Sequence, residues 1–303
     1  MTKLSRCLLL LTAAAITACL TGGCGGDKKS AAPSELEESL GLSREGALER
    51  QTRVEKQIRD CMKAQGFEYK PLDPFARQKT LTGKVHLSDE EFKKRFGYGI
   101  STMFGRASDQ SDPNAAIRRS LRPTDRAAYN RALWGDHPGA SFVEAVESGN
   151  FVELGGCTKQ AGEAAYGGPA VVVALTRKLD ELDSRIIADP RMASAVQKWS
   201  ACMLEAGYRY KDPDEIDRQI EKRFRALMGV GVQPGATSPP DPGTSYDPAA
   251  LAMLQRDEEK VANADLDCET REITPVERVV RPQYEKAFRE QNRALLERVR
   301  AVR

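Results

Sequence analysis

The residues of this chain that could do chemistry are seven cysteines, two histidines, several acidic runs and a few aromatics on short polar-flanked segments. Metal binding by thiolates needs close spacing such as Cys-x-x-Cys with histidine nearby, and a redox pair needs a second thiol within reach. Cys61, Cys157, Cys202 and Cys268 are separated by dozens of residues, so neither pattern is present and no metal or cofactor is expected. His86 and His137 are the only histidines, and Asp136-His137-Pro138-Gly139 reads as a solvated Gly/Pro turn. No nucleophile elbow, Ser-x-x-Lys, His-Glu-x-x-His or phosphate loop occurs. Acidic neighbours such as Asp89-Glu90-Glu91 could act across a glycosidic bond only if folded to face one another. In a chain with 44 acidic residues such neighbours are expected on helix faces, so no catalytic residue is assigned.

The aromatics belong to a repeated unit. Cys61-Met62-Lys63-Ala64-Gln65-Gly66-Phe67-Glu68-Tyr69 recurs as Cys202-Met203-Leu204-Glu205-Ala206-Gly207-Tyr208-Arg209-Tyr210 at an offset of 141 residues. Lys70 and Lys211 follow in step, as do Asp73 and Asp214. Each copy reads as a helix ending at its glycine in a left-handed cap, then a short extended piece showing two rings to one side. The two extended pieces, 67–70 and 208–211, could pair with each other. Phe67, Tyr69, Tyr208 and Tyr210 are the candidate binding aromatics, and packing against the adjacent Cys-Met helices is the commoner use of such rings.

At the N-terminus, Lys3 and Arg6 precede an apolar run from Cys7 to Ile16 and then small residues, which is the grammar of an export leader too short to span as a stop-transfer helix. Ile16-Thr17-Ala18-Cys19 and Thr21-Gly22-Gly23-Cys24 both resemble a bacterial lipobox. Cleavage at Cys24 leaves an even set of four cysteines after lipidation, whereas cleavage at Cys19 strands Cys24 as an exported thiol. Cys24 is therefore the expected lipidated residue, with Cys19 the alternative. The four others pair by repeat logic, since each Cys-Met helix is followed by one later cysteine: Cys61 with Cys157 and Cys202 with Cys268.

With 46 basic and 44 acidic residues the formal net charge is +2, and loss of Lys3 and Arg6 with the leader leaves a neutral chain with no field to draw nucleic acid. Abundant Ala, Arg, Glu and Leu favour helices. The expected fold is mainly α, a duplicated disulfide-stapled helical architecture with at most short extended segments. Its expected divisions are a signal peptide over 1–23, a flexible tether over 24–42, a first helical half over 43–187 and a second over 188–303. Helical spacing places Val54, Ile58, Cys61 and Met62 on one face, and Met192, Val196, Trp199, Cys202 and Met203 on another. Ser88 with Glu91 forms a capping box. Leu251, Leu254, Val261 and Cys268 point inward, while Asp257-Glu258-Glu259-Lys260 and Arg289-Glu290 read as solvated helix faces. Thr274-Pro275 with Glu277 should open a long last helix that Pro282 kinks.

The two Cys-Met-x-x-x-Gly-aromatic-x-Tyr units, Gly97-Tyr98-Gly99-Ile100-Ser101-Thr102, and Ala264-Asp265-x-x-Cys268 before the terminal helix together resemble a family of actinobacterial secreted lipoproteins of unassigned function. The resemblance covers most of the chain after the leader and implies an envelope accessory role. The resulting expectation is a non-enzymatic lipoprotein on the extracytoplasmic face of the cell membrane, held in the bilayer by an N-terminal diacylglyceryl cysteine and binding an envelope protein or the cell wall. The alternatives are a ligand-capture lipoprotein of a transporter, with a cleft lined by the four rings, and a cell-wall hydrolase.

Overall fold

The computed structural model describes residues 34–41, 44–85, 87–106, 113–136, 154–229, 232–236 and 245–301. Cys19, Cys24, His86 and His137 lie outside them. The fold is mainly α, with no strand among the described residues. In chain order the helices are α1 (Glu35–Leu40), α2 (Arg44–Ala64), α3 (Pro74–Thr82), α4 (Asp89–Phe96), α5 (Pro113–Ser120), α6 (Pro123–Trp134) and α7 (Gly156–Tyr166). They continue as α8 (Pro169–Ile187), α9 (Pro190–Glu205), α10 (Pro213–Met228), α11 (Pro248–Cys268), a π-helical turn (Glu269–Ile273), α12 (Thr274–Gln291) and α13 (Arg293–Arg300).

Both repeated units end in the same local structure, a Schellman motif. Gly66 and Gly207 sit at φ of 83° and 90°, where a side chain is strained. Phe67 N–H donates to the Met62 carbonyl at 2.9 Å and Gly66 N–H to that of Lys63 at 3.0 Å. In the second copy Tyr208 N–H donates to Met203 at 2.8 Å and Gly207 N–H to Leu204 at 3.0 Å. The motif wants an apolar contact between the residue after glycine and the one four before it, which explains the Met-x-x-x-Gly-aromatic spacing. Met62 and Met203 are both fully buried.

The extended pieces that follow do not pair. In the first copy Asn114 takes the place of a neighbouring strand: Lys70 N–H donates to its Oδ1 at 2.8 Å, and its Nδ2 donates to the Lys70 carbonyl at 2.9 Å. In the second, Ser200 Oγ donates to the Tyr210 carbonyl. With those main-chain groups satisfied, little drives a two-strand ribbon. The register also slips by two residues after the lysines. Asp73 caps α3 and its structural counterpart is Asp212, which caps α10 before Pro213, rather than Asp214.

Among the described residues the packing resolves into a large core and two small ones. Ile58, Met62, Tyr129, Leu133, Cys157 and Ala161 join α2, α6 and α7, with Phe67 against Tyr129 edge-on at 5.5 Å. Leu81, Leu87, Phe92, Phe96 and Met103 form a second small cluster. The large core gathers α1 and α8–α13 around Trp199, Met203, Phe224, Leu254 and Val280. The apolar stripe of α8, including Leu175, Leu179 and Leu182, lies in this large core, so 187 is not where the cores divide. The cysteines approach as the repeat predicts: Cys61 and Cys157 have Cα atoms 5.6 Å apart and Cys202 and Cys268 5.8 Å, each pair with sulfurs at bonding distance.

Three expectations about helix ends are corrected. Helix α1 falls inside the 24–42 tether, because Ser34 and Glu37 form a capping box and Leu36 and Leu40, one turn apart, are fully buried. Thr274 makes no cap: the chain stays helical from α11 through the π turn into α12, the wider turn accommodating Pro275, which cannot donate back to residue 271. The last helix passes through Pro282 but ends at Gln291, and Asn292, whose Nδ2 donates to the Phe288 carbonyl at 2.9 Å, separates it from α13.

Candidate functional site

Among the described residues, a dense assembly of titratable groups lies where α4 and the turn after it meet α11. The Ser88–Glu91 capping box fixes the start of α4, and one turn on Lys93 is buried alongside Phe92 and Phe96. Its ammonium donates to Asp265 Oδ2 at 2.5 Å and to Glu269 Oε2 at 2.7 Å, and lies 5.2 Å from the centre of the Tyr98 ring. Tyr98 Oη donates to the same Asp265 oxygen at 2.5 Å, while Trp199 Nε1 from α9 donates to Asp265 Oδ1 at 2.8 Å. Lys93 and Asp265 are each 1% exposed, Glu269 3% and Trp199 0%.

Two turns earlier on the same stripe of α11, Glu258 binds the turn itself. Its Oε1 accepts from Ile100 N–H at 2.8 Å, and its Oε2 accepts from Ser101 N–H at 2.7 Å and Ser101 Oγ at 2.5 Å. The turn is shaped for this. Gly97 has φ of 60°, and a Cβ there would stand 2.8 Å from Glu258 Cγ. Gln255 Nε2 donates to the Ser101 carbonyl at 2.9 Å, and Asn263 Nδ2 to that of Lys94 at 3.1 Å. Segment 93–102 is thus clamped along its length by side chains of α11.

Electrostatics follow from burial. Loss of solvent pulls the Lys93 ammonium down, but Asp265 and then Glu269 more than offset this and its pKa is raised, so it stays charged. Burial, then the Glu269 carboxylate, pushes Asp265 up, with Lys93 opposing. Burial, followed by the charge on Asp265, lifts the Tyr98 phenol well above its ordinary range, keeping it a donor. Burial raises Glu258 to about 6 against the pull of its bonds to Ser101 and Ile100. A second buried knot ties α8 to α12: Arg281 donates to Glu277 at 2.7 Å and to Asp183 at 3.3 Å.

Among the described residues Lys93, Tyr98, Trp199, Asp265 and Glu269 are all buried, so the cluster offers a substrate no exposed face there. Its chemical consequence is a polar lock between α4, α9 and α11. Tyr98, Ser101 and Asp265 stand in motifs that the sequence singles out, but Lys93, Glu258 and Glu269 were missed. Glu258 stands in a run whose composition reads as solvated, yet it is fully buried. The available signal was the heptad Leu251, Leu254, 258, Val261, 265, Cys268, in which acids occupy two inward positions.

The candidate aromatics are not brought together. Phe67 and Tyr69 pack in the α2–α6–α7 core, whereas Tyr208 and Tyr210 pack on the large core, so among the described residues no common cleft joins the four. Tyr69 Oη donates to buried Glu55 at 2.9 Å, an anchoring bond. Asp89, Glu90 and Glu91 form the first turn of α4, with Glu91 engaged by Ser88 and by Lys84 at 2.7 Å. Among the described residues no three His, Cys, Asp or Glu side chains are grouped to hold a metal ion, and no helix is long and apolar enough to cross a membrane. Comparison with known protein families, curated proteins and solved structures finds no match to this chain.

Proposed function

We propose that this chain is a bacterial envelope lipoprotein, anchored on the extracytoplasmic face of the cell membrane by diacylglycerol on Cys24, whose helical body is a non-enzymatic binding or accessory module. The observation that carries the reading is the inward use of its reactive groups: among the described residues the Lys93/Asp265/Glu269 cluster and the Arg281 knot are both buried, while both cysteine pairs staple helices. Such a body is built to hold its shape outside the cell, where disulfides persist. The lipobox before Cys24 supports the anchor, and the even number of later cysteines supports Cys24 over Cys19. The likeness of the paired Cys-Met units to secreted lipoproteins supports the envelope location, and the partner is an envelope protein or the wall.

The test has two arms. Labelling cells with a fatty acid should mark the native chain and not Cys24→Ser, and globomycin should accumulate its precursor. A soluble, unlabelled product would refute the anchor. Cross-linking in intact envelopes should recover a defined transporter or wall partner. Hydrolysis of wall material by the purified chain, abolished by Asp265→Asn, would refute the non-enzymatic reading.

A further inference from the structure

One face of α12 and α13 takes no part in the core. Arg289, Arg293 and Arg300, with Glu290 and Leu296, line a shallow open depression. Arg293 and Arg300, two turns apart, share one side of α13, and Arg289 of α12, across the break at Asn292, lines the same depression. Arg293 and Arg300 are exposed and have no ion-pair partner among the described residues. In a chain of near-zero net charge, this is a local basic surface.

The start of the described fold lies beside it. Ser34, the residue before α1, and Arg289, one turn further along α12, both lie close enough to the Glu285 carboxylate to favour its charged form. Leu36 and Leu40 of α1 share the large core with Leu296 and Val299 of α13. Cys24 precedes Ser34 by ten residues, which span at most about 36 Å fully extended. Given the Cys24 anchor proposed above, on which this step rests, the arginine face is confined to the neighbourhood of the headgroups. The tether keeps the face within a few Debye lengths, of about 8 Å each at physiological salt, from the headgroups.

We propose that the Arg289/Arg293/Arg300 face docks on the phosphates of anionic lipid headgroups in the membrane that holds the anchor, fixing how the helical body stands on the bilayer. Guanidinium forks match phosphate oxygens two at a time. The tether supplies a high effective concentration, so weak individual contacts suffice.

The test removes the anchor and keeps the face. The chain from residue 24 carrying Cys24→Ser, checked for helix content by circular dichroism, is sedimented with vesicles of phosphatidylcholine with or without phosphatidylglycerol. Binding should require phosphatidylglycerol, weaken with salt, and fall about fivefold for each arginine lost, hence about 25-fold in R293Q/R300Q. K198Q/R209Q, exposed residues on α9 and just beyond it, should bind like the parent. Equal binding by R293Q/R300Q, or equal binding to neutral vesicles, would overturn the proposal. Displacement by inorganic phosphate at constant ionic strength would assign the face to a soluble anion and also overturn it. Fatty-acid labelling of the unmutated chain judges the anchor independently, so either claim can fail alone.

Discussion

Replacing Lys93 by methionine keeps an unbranched side chain, one atom shorter, and removes its charge. Asp265 would retain Tyr98 and Trp199 as donors, but Glu269 would lose the ammonium now 2.7 Å away. Both carboxylates contact the same Nζ, so they stand within roughly 5 Å of each other, and at an effective dielectric of 20 their repulsion is about 3 kcal/mol. Breaking a buried ion pair from one side costs about 3–5 kcal/mol in general, so the two estimates agree. For a chain of this size the midpoint of thermal unfolding should fall by roughly 6–20 °C. Urea unfolding with disulfides intact, followed by circular dichroism, measures the loss. Its pH dependence has a fixed sign. In the variant Asp265, already pushed up by burial and by Glu269, loses the opposing ammonium and keeps a folded pKa above the unfolded value of about 4, so the penalty is smallest below pH 4 and grows as pH rises through the folded value. Neutralising the whole trio in K93M/D265N/E269Q should recover much of the loss. A neutral-pH destabilisation below about 1 kcal/mol, or one independent of pH, would refute the account of the lock.

Glu258, with an ordinary value of 4.5 raised by burial to about 6, makes the folded state lose about 2 kcal/mol as pH rises between those values, and Glu258→Gln should flatten that part of the stability curve. Gly66→Ala and Gly207→Ala force a Cβ into the left-handed region with no steric obstacle, so each should cost about 1–2 kcal/mol in chemical denaturation, additively because they close different cores. Peptide mapping without reduction should return Cys61–Cys157 and Cys202–Cys268, and replacing either pair with alanines should lower stability by about 2–4 kcal/mol.

What was legible in the sequence is what short-range physics decides. A glycine at a helix end, Ser88 with Glu91, and cysteines that follow a repeat carry their meaning within a few residues or through simple pairing logic. The site was less legible because burial of charge is settled by distant partners: nothing near Lys93 announces Asp265 and Glu269, more than 170 residues away. The acids of α11 illustrate the point. In a run such as Asp257-Glu258-Glu259-Lys260, solvation is the usual fate, and only the heptad set by Leu251, Leu254 and Val261 turns Glu258 inward. The π turn was hidden for the opposite reason. Thr274-Pro275 has the local form of a helix start, but the packing of Ile273 and Val280 in the large core keeps the chain helical through it.

The two copies of the repeated unit keep the same corner and diverge in what they fasten. On α9, Trp199 precedes Cys202 by one turn, and on α11 Asp265 precedes Cys268 by one turn, so the Trp199–Asp265 hydrogen bond and the Cys202–Cys268 staple are successive rungs between the same two helices. The first copy has Ile58 where the second has Trp199, and its rung is apolar packing in the α2–α6–α7 core. The staple in the second copy therefore holds α11 in the register at which Asp265 receives Trp199, Tyr98 and Lys93 together. A polar cluster of this kind stabilises only when every member is satisfied, since a half-satisfied one is worse than an apolar core. A covalent link one turn away is a physical means of guaranteeing that register, and it accounts for the charged lock standing beside the second copy of the corner and not the first.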